Sequence, residues 1–193
     1  ILEEAGIKMA AIGHVVRALR SLYNPGARRN RLADIVHDAD FLSKFGYLGV
    51  ANFFVKSTLR GRNLESATMD YLSKELTYAA VLPANMRTAA ARRLAVKKSA
   101  DSLRFFRGYL AELKEAHGMD LRIRPVEVSL SGGRGRRAKV LLALPVSCGA
   151  CGGKWDTDFR TEKGLKCERL EATLRCGACG GRRSTSFCLP EIG

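Results

Sequence analysis

The chain has 193 residues, 46% of them hydrophobic and 27% charged, and 33 Lys plus Arg against 19 Asp plus Glu give a formal charge of +14. The apolar share lets the chain bury a core and excludes wholesale disorder, and no uncharged apolar run approaches the ~18 residues of a membrane span. The charge asks for a polyanionic neighbour, and it is not a tail, because residues 1–118 carry net +8 and residues 119–193 net +6.

At the N-terminus Glu3 and Glu4 stand where a signal peptide has its basic region, so no secretory leader is read there and a cytoplasmic setting is expected. The first residue is Ile rather than Met, which reads as a processed or shortened start. Ile7, Ile12, Val15, Val16 and Leu19 recur at helical spacing, and Asn24-Pro25-Gly26 ends that helix. Arg31 to Leu59 is a second helical stretch, broken or tightly packed at Gly46 and Gly49. Gly61 and Asn63 separate it from a third, Leu64 to Val81. Pro83 is expected to open a long fourth helix through Ala116, stopped by Gly118, with Ala89, Leu94, Leu103, Phe106, Leu110 and Leu113 on its apolar side.

After Gly118 the period changes to alternation. Leu121, Ile123, Val126, Val128 and Leu130 read as a strand, residues 131–137 as a glycine- and arginine-rich loop, and Lys139 to Val146 as a second strand. The fold expected is therefore α+β: a helical domain over 1–118 and a β-rich module over 119–193.

The β-rich module holds all six cysteines. Cys148-Gly-Ala-Cys151-Gly-Gly153 and Cys176-Gly-Ala-Cys179-Gly-Gly181 are two copies of one hexapeptide, 28 residues apart. Two residues between thiolates let one tight turn present both sulfurs to one ion, and two such turns make a tetrahedral four-sulfur site. Structural zinc is expected on Cys148, Cys151, Cys176 and Cys179, with Lys154 to Arg160, Leu165 to Arg175 and Arg182 to Leu189 as the strands of a zinc ribbon. Iron with the same ligands is the alternative, and with it an electron-transfer role; a disulfide framework would need an oxidising compartment. Cys167 and Cys188 are off-pattern and read as buried apolar side chains. Arg134, Arg136 and Arg137 in the loop, and Arg182 and Arg183 after the second turn, are candidate phosphate contacts or a solvated basic surface.

In the helical domain His37-Asp38-Ala-Asp40 lies in an apolar helical run. Buried carboxylates are costly unless paired or metal-bound, so Asp38 and Asp40 read either as a capping or salt-bridged pair or as part of a metal site. The pattern Asp-Ala-Asp-x-Leu-x-x-x-Gly-x-x-Gly-x-Ala-x-x-Phe over Asp38 to Phe54 resembles the closing motif of the HD-domain metal-dependent phosphohydrolase superfamily. The resemblance implies an all-helical domain that cleaves phosphate esters with a divalent metal (Mn, Mg, Fe, Co or Ni). It implies Asp40 as the late metal ligand and Asp38 beside it; His14, upstream, is read as facing that site or as an ordinary surface or core histidine. The early His and the separate His-Asp pair of that family have no counterpart here, so either an upstream fragment or a second chain completes the site, or the domain is a degenerate one that keeps the scaffold without catalysis. Two functions stand side by side: a phosphohydrolase with a basic zinc ribbon as accessory, acting on a nucleotide or nucleic acid, or a non-catalytic zinc-ribbon protein of a nucleic-acid complex. Neither calls for a membrane.

Overall fold

The structure, a computed structural model, describes residues 6, 8–22, 30–131, 136–164 and 167–190. Among these residues five helices precede five strands: α1 (Met9–Ser21), α2 (Arg31–Ser43), α3 (Gly46–Leu59), α4 (Leu64–Asn85), α5 (Ala89–His117), β1 (Leu121–Ser129), β2 (Arg137–Pro145), β3 (Trp155–Lys163), β4 (Glu168–Cys176) and β5 (Arg182–Cys188). The class is α+β. No helix among them is long and apolar enough to cross a membrane. The turn expected at Asn24-Pro25-Gly26 lies outside the described residues.

The second helical stretch is two helices with a sharp corner. A Cβ on Gly49 would stand 2.2 Å from the carbonyl carbon and oxygen of Lys44, so only glycine lets the first turn of α3 close on the end of α2. The fourth helix also begins later than its sequence suggests. Pro83 lies inside the last turns of α4. Its missing N–H leaves the Ala79 carbonyl without a helical donor, and the Ser99 hydroxyl of α5 donates to that oxygen at 2.7 Å. The α5 helix starts after Thr88, whose Oγ1 accepts from the Ala91 N–H. Its buried stripe is Ala91, Ala95, Ser99, Ser102, Phe106, Leu110 and Leu113, and Leu94 faces solvent. Small residues in the first half of that stripe bring α5 close to α4.

Antiparallel β1 and β2 form one sheet, and β3, β4 and β5, in that order, form a second. Strand alternation sends Val140, Leu142 and Leu144 toward Leu170, Ala172, Leu174 and Phe187 of the second sheet, making one core. The opposite parity of β2, Ala143 and half-buried Leu141, packs with Leu72, Leu76, Phe106 and Leu110 of α4 and α5. Strand β2 is thus covered on both faces.

Helix α4 also closes the open edge of β2. Thr77 Oγ1 lies 3.0 Å from the Leu141 carbonyl and accepts from the Leu141 N–H at 3.1 Å, while Ser73 Oγ accepts from the Ala143 N–H at 3.0 Å. Ser73 and Thr77 are one helical turn apart, matching alternate residues of the strand, so two hydroxyls stand in for a missing strand. At the β5 edge the Thr185 hydroxyl donates to the Asp70 carbonyl of α4. One helix therefore anchors both sheets.

Candidate metal centre

The two hexapeptides fold as matching turns. In the first, the Gly152 N–H donates to Cys148 O at 2.7 Å and the Cys148 N–H to Gly153 O at 2.8 Å. In the second, Gly180 donates to Cys176 O at 2.9 Å and Cys176 to Gly181 O at 2.8 Å. The repeat needs glycine where it has it: Gly152 and Gly180 sit at φ +70° and +73°. A Cβ on Gly153 would stand 2.9 Å from Cys176 Sγ and 3.2 Å from Cys151 Sγ, so the missing side chain is what admits the sulfurs.

The ladder then brings the turns together. Trp155, two residues after the first turn, pairs with Cys176 at the start of the second. Cys148 Sγ lies 3.7 Å from Cys179 Sγ and Cys151 Sγ 3.4 Å from Cys176 Sγ, and all four sulfurs fall within 4.8 Å of one another. Four thiolates held about 2.3 Å from one zinc stand about 3.8 Å apart, so these sulfurs fit that ion. Among the described residues this is the one such group of Cys, His, Asp or Glu. Four protein ligands close the coordination shell, so zinc here would hold the fold rather than activate water.

The backbone prepares the thiols for metal. The N–H groups of Cys179 and Ala178 point at Cys176 Sγ and hold its pKa down to about 6. Cys151 is pulled down by the Gly153 N–H, but the neighbouring sulfurs of Cys176 and Cys179 push it up to about 12.

Cys167 and Cys188 are not buried free thiols. They form a disulfide that links the start of β4 to the end of β5, with Cα atoms 5.7 Å apart, half-buried at Cys167 and exposed at Cys188. The β4–β5 register pairs Cys188 with Arg169, which places it beside the residue chain leading from Cys167. The hairpin is therefore clasped at both ends, by the four-sulfur turn and by this bond. Cys188→Ser is expected to lower thermal stability without reductant by up to about 3 kcal/mol, because the unfolded chain regains the freedom of a 21-residue loop. Dithiothreitol should weaken the wild type equally and leave the variant unmoved; a shift of both alike would contradict the bond.

The acidic pair of the helical part is divided. Residues two apart on a helix face different ways. Asp38 is buried and points at the start of α5: the Arg87 N–H donates to its Oδ1 at 2.9 Å and the Thr88 N–H to its Oδ2 at 2.8 Å. His37 Nδ1 lies 3.1 Å from the same Oδ1, and its ring stacks on Phe41. Asp40 turns outward and takes the Lys44 ammonium at 2.6 Å. His14 is exposed on α1. Asp40, Asp38 and His14 belong to no common group of potential metal ligands among the described residues.

Of the arginines singled out in the sequence, Arg134 lies outside the described residues. Arg136 and Arg137 are exposed at the start of β2, Arg137 beside Glu127 at 3.6 Å. Arg182 and Arg183 open β5 directly after the second turn. Sequence reading passed over Arg175, which immediately precedes Cys176. Strand parity was the available signal, since Leu174 and Cys176 point inward and Arg175 must point out. Comparison with protein-family models, curated proteins and solved structures returns no match for this chain, and no family match supports the HD-like reading.

Proposed function

We propose that this protein is a non-catalytic binding protein in which a zinc-stapled β module presents a basic surface to the phosphates of a nucleic acid. The observation that carries the reading is the four-sulfur cluster from whose second turn Arg175 and Arg182 emerge on paired strands. Four protein sulfurs would leave an ion in this site no open position for chemistry, while the +14 charge suits a phosphate-rich partner. A cytoplasmic setting goes with zinc on reduced thiolates, whereas the Cys167–Cys188 bond favours an oxidising one.

The test is fluorescence anisotropy with a labelled single-stranded oligonucleotide over a salt series. Affinity is expected to fall as a power of salt concentration, with a slope of about 0.7 per phosphate neutralised, and to vanish after zinc removal. Absence of binding at low salt would end the reading.

The phosphohydrolase alternative rests on the Arg31 to Phe54 resemblance. Asp40, half-exposed and paired to a lysine, is the carboxylate it offers to a divalent ion, and further ligands would have to come from outside the described residues. Its test is phosphate release from a nucleotide with added divalent metal. The proposed binding role expects no release; release abolished by Asp40→Ala would favour the hydrolase.

A further inference from the structure

The outer face of the β3–β4–β5 sheet forms a groove of about 620 Å³, and its end nearest the second cysteine turn is lined by Arg175 and Arg182. The register sets Arg175 directly opposite Arg182. Like charges directly opposed on neighbouring strands repel, and natural ladders usually offset them with a carboxylate. Asp156 stands opposite Arg175 on its other side, yet no carboxylate among the described residues comes within 4.0 Å of either guanidinium. Elsewhere on this face the arginines are engaged: Arg160 with Asp158 at 3.1 Å and Arg169 with the Ser186 hydroxyl at 2.8 Å. The unpaired charge is concentrated at one end.

We infer that this end of the groove is an anion seat that holds a phosphate of a polynucleotide strand between Arg175 and Arg182; Arg183, opposite inward-facing Leu174 in the register, is not part of it. Guanidinium is the group for this task, since its planar fork donates two parallel hydrogen bonds to phosphate oxygens. Thr173 and Ser184, directly paired one row further along, supply hydroxyls to the sugar-phosphate chain. Asp158, paired with Thr173 in the same row, and Glu171, one row further, oppose a second phosphate, which confines the seat to the cysteine end. The four-sulfur turn fixes the spacing of the seat: Arg175 precedes Cys176, Arg182 follows Gly181, and the Cys176–Gly181 backbone bond of 2.8 Å closes the turn between them. Zinc, though remote from any chemistry, would thereby set the distance between the two guanidiniums.

This inference rests on the nucleic-acid reading and names the place where it acts. The experiment compares the wild type with Arg175→Gln/Arg182→Gln and, as controls off this face, Arg183→Gln and Arg136→Gln/Arg137→Gln. Zinc content and Trp155 fluorescence check that each is folded. The first probe is a labelled single-stranded oligonucleotide. The double variant at 175 and 182 is expected to weaken binding more than tenfold at low salt and to lower the salt slope by about 0.7, the share of one phosphate contact. The second probe is pyrophosphate, which should raise the melting temperature of the wild type but not of that variant. In the absence of any anion the variant should melt no lower than the wild type, because a repulsion has been removed. A folded double variant with unchanged affinity and slope overturns the seat while leaving the binding reading intact. A wild type that binds no oligonucleotide overturns both, and a pyrophosphate effect without oligonucleotide binding would assign the seat to small phosphates instead.

Discussion

Chelation of the metal, or replacement of Cys176 by Ser, is expected to unfold the β3–β4–β5 sheet. Its three strands hold 9, 9 and 7 residues, their outer face is polar, and their inward side chains share one small core with β1 and β2. A structural zinc contributes on the order of 10–16 kcal/mol to a small module, which is as large as the whole stability of an ordinary domain. Cys176 is one of the four sulfurs that such an ion needs, and it lies in the ladder itself as the last residue of β4. The single tryptophan of the chain reports the event, because Trp155 pairs with Cys176 in the ladder and packs on the inter-sheet core. Its emission should shift to the red in parallel with metal loss. A sheet that keeps its tryptophan signal after complete chelation would contradict the staple.

Asp38→Ala is expected to destabilise the helical part by about 4 kcal/mol, measured by urea unfolding. The carboxylate accepts the backbone N–H groups of Arg87 and Thr88 at the positive end of a 29-residue helix, and a hydrogen bond to a charged group is worth about 1.5–3 kcal/mol. Truncation also strands both donors in a buried place. The same contact gives a pH signature. Burial alone would raise the Asp38 pKa, but the Arg87 N–H and the donors of Thr88 outweigh it and hold the carboxyl below its ordinary 3.8. A carboxyl lowered in the native state adds stability that is present above the unfolded value and disappears as the pH falls through the native one. The wild type should therefore lose stability as acidity passes below about 4, and Asp38→Asn should flatten that limb. An unchanged acid limb in the variant would remove Asp38 from this role.

Much of the architecture is written in the periodicities. Alternation from Leu121 onward marks the strands, and the repeated cysteine turns announce their own site because chemistry dictates the spacing. What escaped the sequence depends on contacts between distant segments. Pro83 reads as a helix opener, yet the structure keeps it inside α4, where a serine sixteen places along supplies the hydrogen bond that proline cannot. Leu94 reads as core, but the close approach of α4 and α5 is made by alanine and serine, and the leucine is left outside. Asp38 illustrates the same limit: its apolar surroundings suggest either metal or pairing, and only the fold shows that the start of α5 lies against it. Cys167 and Cys188 look isolated until the β4–β5 register brings them together. Arg175 is hidden by its neighbour, since attention falls on the cysteine that follows it.

Native mass spectrometry of the intact chain, with zinc-edge X-ray absorption on the same sample, tests the central claim most directly. The account predicts one zinc per chain in an all-sulfur shell at about 2.3 Å, and none in folded or unfolded Cys176→Ser. A metal-free chain with an intact sheet, or iron in place of zinc, would contradict it.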